Sequence, residues 1–165
     1  MSEFRPSAIL DILTDHGVEF VVIGGYAARL HGASRPTFDV DVTPERSHDN
    51  LERLATALTA LSARIRVDGI DEGLPFSTDA TALAGMAMLN LTTPHGDLDI
   101  SMTPAGTSGF DDLVRDARPQ RTGENDSRIA SLADVIRSKE HAGRRKDLEA
   151  LPELRRLAIT LREGH

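Results

Sequence analysis

A chain of 165 residues with no cysteine and a formal net charge of -7 can bury one core, and it excludes disulfides, zinc–thiolate sites and thiol chemistry. No apolar run approaches membrane-spanning length and the first residues do not read as a signal peptide, so a cytoplasmic protein with no membrane partner is expected. Residues 131–165 hold eight Arg/Lys against six Asp/Glu, and the remainder eleven against twenty, so there is no dominant basic patch of the kind that binds duplex DNA. With no Trp and a single Tyr, a stacking platform for single strands is also unexpected.

In chain order, residues 6–16 carry Ile9, Leu10, Ile12 and Leu13 and predict an amphipathic helix. Residues 19–23 are β-branched and apolar between Gly17 and Gly24, and predict a buried strand. Gly24 and Gly25 then allow backbone angles and close approaches that a Cβ blocks. Residues 26–31 predict a helix, stopped by Gly32. Gly24-Gly25 would stand at its N-terminus, where free amides and the helix dipole favour phosphate. Residues 37–42 alternate with period two, so Asp39 and Asp41 share a face opposite Phe38, Val40 and Val42. Two carboxylates about 7 Å apart on one strand face suit one or two Mg²⁺ ions, which prefer oxygen ligands and substrate phosphates.

The strongest helical stripe is Leu51, Leu54, Leu58 and Leu61 within residues 45–61. A short strand follows at 64–67, then a glycine-rich loop at 67–77 and a short helix at 78–83 capped by Ser77 or Thr78. Residues 86–93 and 97–102 predict a hairpin turning at Pro94-His95-Gly96, with Asp97 and Asp99 on one face opposite Leu98 and Ile100. A helix is expected at 110–117, and the polar stretch after it predicts a linker over 119–130. Ser131 and Asp134 resemble a capping box opening a helix with Leu132, Val135 and Ile136 on its apolar stripe. The chain's two lysines, against seventeen arginines, both fall in this tail, at 139 and 146, where a compact ammonium suits phosphate. They share a face if the helix runs past Gly143. Pro152 reads as the first residue of a last helix to Arg162. His31, His48, His95 and His141 have no metal-ligand spacing.

The combination of Gly24-Gly25, a spacer and the Asp39-Val40-Asp41 strand resembles the signature of the DNA polymerase β-like nucleotidyltransferase superfamily. The Arg35-Pro36-Thr37-Phe38-Asp39-Val40-Asp41 form is similar to its minimal members, including those of toxin–antitoxin and abortive-infection systems. That resemblance implies an α+β nucleotidyltransferase fold: a mixed sheet flanked by helices, with a short C-terminal helical appendage. The expected divisions are a catalytic core at 1–118, the linker at 119–130 and a helical segment at 131–165 packed on the core. It also implies a third carboxylate on a neighbouring strand, for which Asp99 fits the apolar–acid–apolar pattern better than Asp97.

Asp39, Asp41 and Asp99 would then be catalytic and hold Mg²⁺, as two ions that Mn²⁺ can replace. Gly24, Gly25, Tyr26, Arg35, Thr37, Lys139 and Lys146 are the implied nucleotide-binding residues. Arg35 either contacts phosphate or acceptor or pairs with a strand carboxylate, and Thr37 is placed to hydrogen-bond the glycine turn. Asp147 either is structural or orients a lysine. Gly25 departs from the serine that many relatives have there, which leaves phosphate to backbone amides. The implied activity is transfer of NMP from an NTP to an acceptor hydroxyl. RNA, especially a tRNA end in a toxin-like role, leads the acceptors, followed by a protein hydroxyl and a small molecule such as an antibiotic. A cognate toxin or antitoxin partner belongs to the same expectation, and an inactive domain that binds nucleotide or a partner is the alternative.

Overall fold

The computed structural model describes residues 3–163. Helix α1 (Pro6–Asp15) starts with proline at its first position and buries Ile9, Leu10 and Leu13. Strand β1 (Phe20–Ile23) leads directly into α2 (Gly24–Leu30), so the helix begins on Gly24 itself. Strand β2 (Asp39–Pro44) follows, then α3 (His48–Ala60), capped by Ser47 accepting from the Asn50 amide. Strand β3 (Arg64–Val67) pairs antiparallel with β4 (Ile70–Leu74), and α4 (Ala80–Ala84) starts at an Asp79 cap. The β5 (Met88–Thr93) and β6 (Gly96–Ser101) hairpin precedes the short α5 (Phe110–Leu113). A second hairpin, β7 (Arg118–Arg121) and β8 (Asp126–Ile129), leads into α6 (Leu132–Ala142) and α7 (Arg145–Glu163).

The described strands form one sheet in the order β4-β3-β5-β6-β2-β1-β8-β7. β2 runs parallel to β6 and β1 parallel to β8, while the other neighbours are antiparallel, so the sheet is mixed. This is an α+β architecture. Val22, Val40, Leu98 and Ile100 from the central strands share one core with Leu51 and Leu54 of α3. Leu132, Val135 and Leu154 of the last two helices belong to that same core.

Four segments differ from the reading of the sequence. Residues 119–130 do not form a free linker: β8 pairs with β1, burying Ser127 and Ile129, and β7 closes the sheet edge. β7 is polar because all four of its residues are exposed, which is why its composition resembles a connector. The glycine-rich stretch after Val67 contains β4, which also lies at a sheet edge. Asp79, rather than Ser77 or Thr78, caps α4 through Oδ1, 2.8 Å from the Ala82 amide. Pro152 lies inside α7, which starts seven residues earlier at Arg145. Burial of Leu151 and Leu154 on either side of it, at about 1.5–3 kcal/mol each, offsets the roughly 3 kcal/mol that an interior proline costs.

Candidate active site

The parallel register of β2 and β6 sets the site. Asp39 stands opposite Asp97 and Asp41 opposite Asp99. Asp39, Asp41 and Asp99 each offer a carboxylate oxygen within 4.8 Å of the others. Such crowding of like charge in a partly desolvated place disfavours ionisation. Burial, then the charges of Asp39 and Asp99, push Asp41 up to about 8, opposed by the charge of Lys146. Burial also raises Asp99, to about 6, while its hydrogen bond and ion pair with Arg66 pull it back. An all-oxygen, three-carboxylate set whose charges repel one another is the donor chemistry that a hard divalent cation relieves.

Gly24 makes the approach to this cluster possible. Its φ is +69°, and a Cβ there would land on the Asp41 carboxylate. A Cβ on Gly25 would stand 3.2 Å from Thr37 Oγ1. Thr37 in turn donates to Asp39, at 3.3 Å from both Oδ1 and the backbone oxygen. Thr37 therefore reaches the first carboxylate while packing against the turn.

A cavity of about 710 Å³ opens over the cluster, lined on one side by Gly24, Gly25 and Thr37 and on the other by α6 and α7. Gly143, at φ +62°, ends α6 in the left-handed conformation, so Lys139 and Lys146 stand on two helices rather than on one face. Both still line the cavity. Lys139 Nζ lies 3.6 Å from Asp147 Oδ1, and Arg144 Nε 2.7 Å from Asp147 Oδ2. Asp147 is 1% exposed. Burial pushes its carboxyl up, but the hydrogen bond and charge of Arg144, with Lys139, outweigh that and hold it below the usual range. Asp147 thus sets the direction of two cations at the cavity.

Arg35 lines the cavity but pairs with neither a strand carboxylate nor another group of the cluster: its Nη2 is 3.2 Å from Glu149 Oε2 on α7. Ser34 beside it donates to Glu153 Oε2 at 2.6 Å, which fastens the loop before β2 to the last helix. Tyr26 stands away from the cavity lining, edge-on to Phe4 with ring centroids 6.5 Å apart, and burial raises its hydroxyl's pKa. It packs rather than faces a ligand. His31 is likewise structural, its Nε2 being 2.8 Å from the Ala130 oxygen.

Sequence reasoning missed Arg66, Asn90 and Arg144, all of which line the cavity. Asn90 is the antiparallel partner of Asp99 and so projects on the same face, a relation legible once the hairpin register is known. Arg66 comes from β3, two strands away, and Arg66 Nη2 lies 2.6 Å from Asp99 Oδ1. Only the alternation of Arg64 and Arg66 with Ile65 and Val67 hinted that it faced the carboxylates.

The sheet order and the placement of the glycine turn beside paired strand carboxylates define a nucleotidyltransferase fold. Solved structures agree over nearly the whole chain. The lincomycin-bound lincosamide antibiotic adenylyltransferase LnuA superposes with a TM-score of 0.58 at 15% identity, covering 91% of this chain and 94% of that one. A putative nucleotidyltransferase from Thermotoga maritima gives 0.53 at 17% identity over 92% and 94%. The antibiotic-resistance factor ANT(2'')-Ia gives 0.52 at 15% identity over 94% and 88%. No protein-family model and no curated protein sequence matches the chain.

Proposed function

We propose that the protein is a divalent-metal-dependent nucleotidyltransferase that moves NMP from an NTP to the hydroxyl of a small molecule. The observation that carries this reading is the three-carboxylate cluster beneath the Gly24 turn, within a cavity large enough for a triphosphate and an acceptor. Asp39, Asp41 and Asp99 fit Mg²⁺ or Mn²⁺, both oxygen-seeking ions. When bound, such an ion supplies charge neutralisation at the phosphates and lowers the acceptor hydroxyl's pKa.

The chain's own groups do the remaining work. Gly24 and Gly25 bring bare backbone to the phosphates. Lys146 and Lys139 offer positive charge to the pyrophosphate from the opposite wall, with Asp147 holding Lys139. Asp99 takes the proton of the acceptor hydroxyl. The acceptor oxygen bonds to the α-phosphorus as the bond from that phosphorus to the bridging oxygen breaks, and pyrophosphate leaves.

For the acceptor, the charge of the C-terminal tail is informative. Arg137, Lys139, Arg144, Arg145 and Arg155 are each paired with a carboxylate of the same chain. Five of the tail's eight cations are thus already engaged, which weakens the support that a basic tail gives to an RNA acceptor. Two of the three structural neighbours are named for action on, or resistance to, antibiotics, which supports a small hydroxylated acceptor.

The test is label transfer from each α-³²P-NTP with Mg²⁺, into hydroxylated antibiotics, bulk RNA and cell protein separately, with Asp39→Ala/Asp41→Ala as control. Label in the small-molecule fraction that vanishes in the control is expected. Label in RNA alone would favour the toxin-like role, and label in protein alone would favour modification of a partner chain. No label in any fraction, from folded protein, would leave a binding domain as the better reading.

A further inference from the structure

Arg66 is the cation paired with the carboxylate cluster among the described residues, and its placement is unusual. It belongs to β3, and β5 lies between it and the strand carrying Asp99. Its guanidinium spans that gap. Nη1 lies 3.1 Å from the Leu91 backbone oxygen on β5, and Nη2 2.6 Å from Asp99 Oδ1. Nη1 is also 3.4 Å from Asp97 Oδ2. The Arg66 side chain is 31% exposed and Asp99 15%, so this fork sits at the edge of the cavity, not out in solvent. On its other side Asp99 reaches towards Asp39 and Asp41. The nucleotide-side groups, Gly24 and Lys146, belong to the other flank of the cluster, on the β1 and α7 side. Arg66, with Asn90 beside it, therefore forms the wall on the far side of Asp99.

We propose that Arg66 is a positioning residue that fixes the Asp99 carboxylate for the incoming acceptor hydroxyl and tempers the cluster's grip on the divalent ion, an assignment resting on the nucleotidyl-transfer reading above. Three acceptors on two strands define the guanidinium's plane, and that plane defines which oxygen of Asp99 is engaged. The engaged oxygen is Oδ1, which leaves one oxygen for the ion and the acceptor. A planar fork suits this task, because a lysine ammonium is a point charge that cannot hold a carboxylate and a carbonyl in one plane. The same cation is paired with Asp97 and Asp99 and feels the charge of Asp39, so it lowers the cluster's attraction for any further positive charge.

The experiment compares wild type, Arg66→Ala and Arg66→Lys by steady-state kinetics and by Mn²⁺ titration followed by electron paramagnetic resonance without nucleotide. In Arg66→Ala, kcat should fall about 10–100-fold, as for other residues that orient a ligating group, while KM for NTP stays within about twofold. Mn²⁺ should bind about tenfold more tightly, because a neighbouring positive charge is gone. Arg66→Lys separates charge from geometry: Mn²⁺ affinity should return close to wild type while kcat stays low. Recovery of kcat in Arg66→Lys would overturn the positioning role and reduce Arg66 to a counter-ion. Unchanged kcat and unchanged Mn²⁺ affinity in Arg66→Ala would overturn the proposal entirely. Wild-type protein that binds Mn²⁺ and transfers no label on any acceptor fails the function reading, and the acceptor role of Arg66 falls with it. Active wild type with both variants at its kcat fails this proposal alone.

Discussion

Gly24 and Asp41 compete for the same space: the position that a Cβ of residue 24 would occupy coincides with the Asp41 carboxylate. The glycine also has φ +69°, a conformation that L side chains rarely adopt. Gly24→Ala must therefore both strain the turn and displace a cluster carboxylate. The expected loss is about 1–3 kcal/mol of stability and at least about 100-fold of turnover. Gly25→Ala meets only the Thr37 hydroxyl, at 3.2 Å, and should cost far less. Paired thermal melts and rate measurements on the two variants check the ordering; equal effects would contradict the close approach at residue 24.

The raised Asp41 carboxyl makes stability fall with pH in protein free of divalent ions. Its ordinary value is 3.8, and in the fold it is about 8, so between these limits the folded chain binds more protons than the unfolded one. The stability is thus complete below about pH 4 and is lost as pH rises through 8. Asp41→Asn removes the charge and should raise the ion-free melting temperature at pH 8 by about 2–8 °C, equivalent to about 1–2 kcal/mol, with little gain near pH 5. The same variant should lose turnover. Denaturant melts at the two pH values decide the point, and a gain that does not depend on pH would refute it.

Divalent ions should reverse that trend. A cation entering the cluster displaces the protons held by Asp41 and Asp99, so its apparent affinity rises from pH 6 to pH 8. Mg²⁺ or Mn²⁺ should raise the melting temperature more at pH 8 than at pH 6, and EDTA should cancel the rise. Asp39→Ala/Asp41→Ala protein should be indifferent to both. Equal stabilisation of wild type and double variant would place the ion elsewhere.

Asp147 carries two cations on one buried carboxylate. Asp147→Asn keeps the shape but removes the charge that orients Lys139 and Arg144. A loss of about 1–3 kcal/mol is expected, together with a KM for NTP raised several-fold and a smaller change in kcat. Isothermal denaturation and NTP saturation curves measure the two effects, and an unchanged KM would leave Asp147 a purely structural residue.

Local chemistry made much of this molecule legible. The alternation of Asp39 and Asp41 with Val40 and Val42 and the Ser131 cap require only neighbours along the chain and appear as expected, but Phe38 lies exposed before the strand, and Asp134 accepts from Arg137 instead of closing a capping box on Ser131. The nearness of Asp99 to the Asp39–Asp41 pair rested on resemblance, since nothing in residues 97–102 states that their strand lies parallel to β2. Arg66 was hard to single out for the same reason: its alternation with Ile65 and Val67 gave it a face, but its partners are 25 and 33 residues away. β7 misled because edge strands and linkers share a polar composition. Pro152 misled because a proline at a helix start and one tolerated within a helix look alike until the burial of Leu151 and Leu154 is known. Tyr26 follows the glycine pair in sequence, but the helical turn points it at Phe4.

The shared core of sheet and terminal helices has a genetic consequence. Leu132, Val135 and Leu154 fill the same interior as Val22 and Val40, and the glycine turn and the two lysines face each other across the cavity. The cavity wall at α6 and α7 cannot be exchanged as a cassette without re-fitting the interior beneath it. A gene split after residue 130 should yield two pieces that are each insoluble alone yet complement one another when co-expressed, like the halves of a reporter. Changes in what this wall holds would therefore arise by point substitution along it, not by shuffling of segments.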